Sequence, residues 1–349
     1  MVIIPLGDYM KKINFKLQDY IINVLNFMAQ GLFSSLIIGL ILKQIGEKAG
    51  IPLLVEFGKI AQLMMGPAIG AAVAYGVKAP VLAIFSSIVS GTLGAQTLLL
   101  TAAGSYSIRV GEPVGALFAA LVGAELGKFV HGKTKLNIIV VPAITIIGGG
   151  ITSAFISPFM SSFMTTLGQM INYATELQPI PMGILVSTAM GMILTLPISS
   201  AALAISLKLD GLAAGAATIG CCAQMVGFAV CSYRENGFGG LIAQGLGTSM
   251  LQVPNIIRNP LIWIPPTLAS AILGPIASAI FKMKNTPVGA GMGTSGLVGQ
   301  FATIEIMGTS SLPLILLLHV ITPAILSLII SEVMRKKGWI NYGDMKLDL

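Results

Sequence analysis

Between Tyr20 and Met334 almost the whole chain divides into apolar stretches about as long as one membrane crossing, roughly 20 residues each. Mean hydropathy is +0.89, and 55% of the residues are hydrophobic against 9% charged, too little polar surface to cover a water-soluble particle of 349 residues. The bilayer must be the solvent, which excludes a soluble enzyme. The expected fold is an all-α polytopic membrane protein of about ten transmembrane helices in two five-helix halves, with re-entrant hairpin segments.

Residues 1–20, with Lys11, Lys12 and Lys16, read as a cytoplasmic amphipathic segment before a retained first helix at Ile21 to Leu42 that lacks a cleavage site. Further spans are expected at Pro52 to Tyr75, Ala79 to Ala103, Glu112 to Val130 and Leu136 to about Ile156, completing a half of about 21–175. The second half, about 181–334, would hold Pro181 to Leu207, Gly211 to Ser232, Phe238 to Ile257, Leu261 to Phe281 and Ser311 to Met334, with 335–349 a cytoplasmic tail. With both termini inside, thirteen of the 20 Lys and Arg fall in the cytoplasm, among them Lys208, Arg258 and Arg335, and six fall outside, among them Arg109, Arg234, Lys282 and Lys284. The basic residues report topology and form no nucleic-acid stripe. Cys221, Cys222 and Cys231 lie in one apolar segment without metal-ligand spacing, so packing is the expected role and neither cofactor nor metal is expected.

Gly289-Ala-Gly-Met-Gly-Thr-Ser-Gly-Leu-Val-Gly-Gln300 is too rich in glycine for a straight helix and too apolar for a solvated linker, so 286–308 reads as a hairpin or broken helix beside a pathway, or else as a tight Gly-mediated helix contact. Ser90-Gly91-Thr-Leu-Gly94-Ala-Gln96, preceded by Gly66-Pro67, follows the order of Gly274-Pro275 and Ser295 to Gln300. If the match marks a duplicated fold, Gln96 and Gln300 pair across a polar solute. Glu305, just beyond the glycine run and without a basic residue in helical reach, is placed to accept hydrogen bonds from vicinal sugar hydroxyls; Thr303 lies beside it and His319 mid-span. For His319 a structural hydrogen bond competes with solute contact.

Glu56 with Lys59 reads as an i,i+3 ion pair, Glu125-Lys128-His131 as an interfacial network, and Arg109 with Glu112 as helix capping. Gln224, Gln244, Gln252 and Asn255 suit either an uncharged polyhydroxyl ligand or ordinary interhelical bonding.

Gly132-Lys-Thr-Lys-Leu-Asn-Ile-Ile-Val-Val-Pro142, Pro265-Pro-Thr-Leu-Ala-Ser-Ala-Ile-Leu-Gly-Pro275 and Gly289 to Gly299 resemble the IIC-like membrane proteins grouped with the perfringolysin O regulator, which are classed with the sugar-transporting subunits of the bacterial phosphotransferase system. The resemblance implies a glucose-type IIC fold with membrane hairpins, a homodimer in the bacterial cytoplasmic membrane, and a sugar-binding Gly-Ile-Thr-Glu hairpin. Here Phe301-Ala-Thr-Ile-Glu305 comes nearest, with Thr and Ile exchanged and no glycine before them. It also implies soluble phosphotransferase partners, since no donor domain and no catalytic group is evident in this chain.

The expected function is transport of a sugar or similar polar solute, as the IIC permease component of a phosphoenolpyruvate-dependent system. The candidate contacts are Gln96, Gln300, Thr303, Glu305 and His319. The alternatives are a membrane sensor or regulator that keeps the IIC fold without phosphorylating its ligand, and an ion-coupled solute carrier.

Overall fold

The computed structural model describes residues 6–100 and 104–347. Its first helix runs without a break across residue 20, and the membrane-length part, α1 (Asp19–Ala49), passes through a π turn at Phe33–Ile37. It is followed by α2 (Pro52–Leu63) and α3 (Met65–Gly76), bent 54° from one another, and by the short α4 (Val81–Ala95). A two-stranded hairpin, β1 (Leu98–Leu100) and β2 (Tyr106–Ile108), leads into α5 (Pro113–Val130) and the 39-residue α6 (Asn137–Thr175). The second half contains α7 (Pro179–Thr195), α8 (Ser200–Ser206), α9 (Gly211–Cys231), α10 (Tyr233–Ile242), α11 (Val253–Arg258), α12 (Pro260–Ile280), α13 (Val298–Met307) and α14 (Thr309–Lys336). Among the described residues six helices are long and apolar enough to cross a membrane, or seven if α2 and α3 form one span. The chain is an all-α polytopic membrane protein.

Two short helices depart from the expected ten full spans. Stretches 96–103 and 196–207 remain apolar enough to extend them, but Gln96 adopts a left-handed conformation (φ 54) and Leu196 turns extended ahead of Pro197, so α4 stops at Ala95 and α7 at Thr195. The expected span from Phe238 to Ile257 is preceded by a break at Gly237 (φ 59) and interrupted by a π turn at Ala243–Gly247 and an extended Thr248. That stretch does not cross. At its start Glu235 pairs with Arg335 at 2.9 Å, and at its end Asn259 bonds to Trp339 and Asp344, so it leaves and rejoins one side. Arg234, paired with Glu332 at 2.9 Å, therefore lies on the same side as Arg335, not opposite it. Lys208 lies with Lys282 and Lys284 on the other side, because Asn285 N–H donates to Gly211 O at 3.2 Å and closes that end. Ser90 to Gly94 sit in continuous helix whereas Ser295 to Gly299 straddle a break with Gly296 at φ 53, so the two stretches matched in sequence are not structural equivalents.

Helices in lipid gain little hydrophobic energy from touching one another, so close backbone packing has to hold them. α4 lies against α3 through Gly66, Gly70 and Gly91, and against α5 through Gly94 and Gly115. α7 lies against α9 through Gly191 and Gly220, and against α12 through Gly183 and Gly274. Ser187 Oγ adds a bond to Ser270 O at 2.7 Å. Behind these contacts lie two apolar clusters, one around Met28, Met65, Ile69 and Val73, the other around Val186, Met190, Leu203 and Met225. α6, by contrast, turns Ile147, Ile151, Phe155 and Phe159 outward at i+4 spacing.

The sharpest of these contacts is at Gly220, where a Cβ would overlap the carbonyl of Ser187. Gly220→Val should destabilise the folded protein by about 1–3 kcal/mol, while Gly239→Ala, which meets nothing within 4 Å, should stay within roughly 0.5 kcal/mol; thermal unfolding in detergent reads both.

Candidate functional site

α4 and α7 enter the bundle from different sides. Lys128 Nζ donates to Val77 O at 2.8 Å, which fixes the start of α4 beside the end of α5. Ser278 Oγ donates to Pro179 O at 2.7 Å, which fixes the start of α7 beside the end of α12. α1 joins these sides: Tyr20 near its start donates to Glu125 at 2.7 Å, and Lys48 near its end lies 4.2 Å over the Phe301 ring of α13. With 15 and 17 residues, α4 and α7 are about 22 and 26 Å long, short of a bilayer core of about 30 Å. Both end inside the bundle, and Glu112 links the end of α4 to the segment that follows α7.

Pro113 accounts for that placement. A residue before proline is pushed out of the helical region, and Glu112 is extended (φ −110, ψ 124) with its side chain turned away from its own helix end. Its backbone N–H donates to Ala95 O at 3.0 Å, tying it to the end of α4, while its carboxylate accepts Ser199 N–H at 3.4 Å from the segment after α7. The capping role expected for Glu112 is therefore replaced by a bond between the two halves. Arg109 donates to Gln96 O at 3.0 Å and also to Gln96 Oε1.

A cavity of about 570 Å³ opens at this junction, lined by Gln96, Arg109, Glu112, Ser157, Asn172 and Ser206 among others. The end of α4, the start of α5, α6 and α8 line it, and they bring a carboxylate, a guanidinium, amides and hydroxyls together, a mixed set of donors and acceptors that suits a polyhydroxyl ligand. Of the sequence candidates this cavity takes Gln96. Arg109 and Glu112 were visible as a charged pair ahead of a proline-started helix; Ser157, Asn172 and Ser206 carried no signal.

The remaining candidates lie at the broken hairpin before α14. Gln300 Nε2 stands 3.0 Å from His319 Nδ1 and 3.4 Å from Cys222 Sγ, and Gln300 Oε1 is buried without a partner. Thr303 accepts from Asn285, whose amide also reaches Thr218 Oγ1 at 2.7 Å and Gly299 O at 3.0 Å. Glu305 is exposed, two positions past Thr303 and so roughly 200° round α13. The hairpin is broken as expected, with Gly293 and Gly296 both at φ 53 and Leu297 at φ 60. Glu56 and Lys59 form no ion pair; Lys43 and Glu47 do, at 3.7 Å. Glu125 and Lys128 pair at 2.9 Å. Gln224 bonds Thr195, Trp263 and Thr267.

The family described as Phosphotransferase system, EIIC matches residues 22–347. The chain belongs to that family. It is thus a multi-pass membrane component of the phosphotransferase type. No curated protein and no solved structure matches it.

One outcome follows from the site. Asn285→Ala strands buried acceptors at the hairpin and should cost about 1–3 kcal/mol, whereas Glu305→Ala on the exposed face should stay within roughly 0.5 kcal/mol.

Proposed function

We propose that this EIIC-family chain is the sugar-translocating membrane component of a phosphotransferase system and that the sugar occupies the cavity beside Glu112, where α4 ends. The carrying observation is the convergence of two discontinuous helices on Glu112, since transporters place their solutes where such helices meet. A sugar presents many hydroxyl donors to the carboxylate, to the Gln96 carbonyl and to the helix ends, and Arg109 offers further donors to its ring and hydroxyl oxygens.

In this reading Gln96 contacts the sugar, while Gln300, Thr303 and His319 hold the broken hairpin that backs the second half. The phosphoryl group would come from a separate soluble phosphotransferase protein meeting the bound sugar from the cytoplasm. Both termini are placed on the cytoplasmic side, the side of Lys128, Arg258 and Arg335. The outward ridge Ile147, Ile151, Phe155 and Phe159 of α6 is the surface assigned to a second copy, giving a homodimer in the bacterial cytoplasmic membrane.

Uptake of radiolabelled sugars into membrane vesicles supplied with phosphoenolpyruvate and the soluble phosphotransferase proteins tests the proposal. Glu112→Gln should lower uptake by about 10- to 100-fold, the worth of a hydrogen bond to a charged acceptor. Unchanged uptake in Glu112→Gln together with its loss in Glu305→Gln would move the site to the hairpin. Sugar binding without any uptake would support the sensor reading.

A further inference from the structure

The side of the molecule that carries Arg335 holds a cradle of amide and carboxylate side chains, and what they bind is main chain. Glu235 accepts the N–H groups of Gly343 at 3.2 Å and Met345 at 2.9 Å. Asn236 donates to Met345 O at 2.9 Å and accepts from Leu347 N–H at 2.8 Å. Gln252 donates to Met345 O at 3.0 Å, and Asn255 donates to Lys346 O at 2.8 Å. Ile340 and Met345, at 1% and 0% exposure, fill apolar sockets beside Phe228, Ile256 and Ile262. This is the chemistry of peptide recognition: paired amides read the backbone and two pockets read the side chains.

The cradle also reaches the cavity. Gln252 ends the turn Ser249–Gln252, and Ser249 Oγ stands 2.8 Å from Oγ1 of Thr195, the last residue of α7. Four residues on, Ser199 N–H bonds Glu112. The segment 196–199 between them is non-helical, so it is the part of α7–α8 that can shift without unwinding a helix.

We infer that the cradle of Glu235, Asn236, Gln252 and Asn255 is a peptide-binding surface whose occupant is this chain's own segment 338–347, and that its occupancy holds segment 196–199 against Glu112. The bound segment clamps the Ser249 turn; the turn clamps the end of α7; and segment 196–199 beyond it holds, through Ser199 N–H, the Glu112 carboxylate that lines the cavity. Release of the segment frees that carboxylate. The inference uses the cavity of the proposed function but not its transport activity.

Thiol labelling in detergent, with no solute present, tests it. Cys221 and Cys222 are buried and set a low background, and Cys231, which packs in one cluster with Ile340 and Met345, is replaced by Ser in every variant. Ile198 is 7% exposed, so in Ile198→Cys the new thiol reacts only when segment 196–199 lifts. Labelling of Ile198→Cys should be roughly tenfold faster when the chain is ended at Lys337 or when Asn236→Ala and Asn255→Ala are combined, a ratio ordinary for coupling between two sites. Adding a peptide of residues 338–347 to the shortened chain should slow it again. An unchanged rate in the shortened chain, or in the double variant if the shortened chain does not fold, overturns the inference. So does a faster rate that the peptide fails to reverse. Because no sugar is involved, a failed sugar-uptake test leaves this result standing, and the reverse holds.

Discussion

Close approach of backbones at the two short helices is the constraint on which the rest depends. Gly70 and Gly91 let α3 and α4 touch, Gly94 and Gly115 let α4 and α5 touch, and Gly191 with Gly220 does the same for α7 and α9. Helices packed this tightly exchange dispersion contacts and little else, because lipid removes the hydrophobic incentive to associate. The arrangement lets two helices too short to cross be held firmly at depth. Their ends then become available for chemistry.

A helix that stops inside a membrane leaves carbonyls to be satisfied. At α4 this is done by Ser153, which donates to Leu93 O at 2.8 Å, by the Glu112 backbone and by Arg109. At α7 the chain turns through Pro197 into α8, and Ser199 caps α8 by accepting from Ala202 N–H at 3.2 Å. Satisfying these ends gathers an arginine, a glutamate and a glutamine in one place. The polar cavity is thus a consequence of ending two helices early.

Much of this was legible in the sequence and some was not, for definite reasons. Charge scarcity fixed the membrane class, and the glycine run from Gly289 to Gly299 fixed the broken hairpin. The early ends of α4 and α7 were hidden because hydropathy does not change there: Leu98, Leu99 and Leu100 are as apolar as the helix before them, and so are Ala201 to Ile205. The stops are set by one left-handed residue, Gln96, and by one X-Pro step, Leu196-Pro197. Glu112 was read as a helix cap because its position beside Pro113 suits one; its bond to Ser199, 87 residues away, is a tertiary fact. The topology count placed Lys208 and Arg234 on the wrong sides because two apolar stretches of spanning length were taken to cross: 181–207, whose helix stops at Thr195, and 238–257, which Gly237 and Thr248 fold back. The sequence therefore revealed the environment and the weak points of the helices, and tertiary pairing decided which weak point met which.

The central claim is that the sugar lies beside Glu112, where α4 ends. The most direct measurement is an experimental density map of the protein with a transported sugar bound. The account predicts ligand density between Gln96, Glu112 and Ser206. Density at Gln300 and Glu305, with the cavity at Glu112 empty, would contradict it.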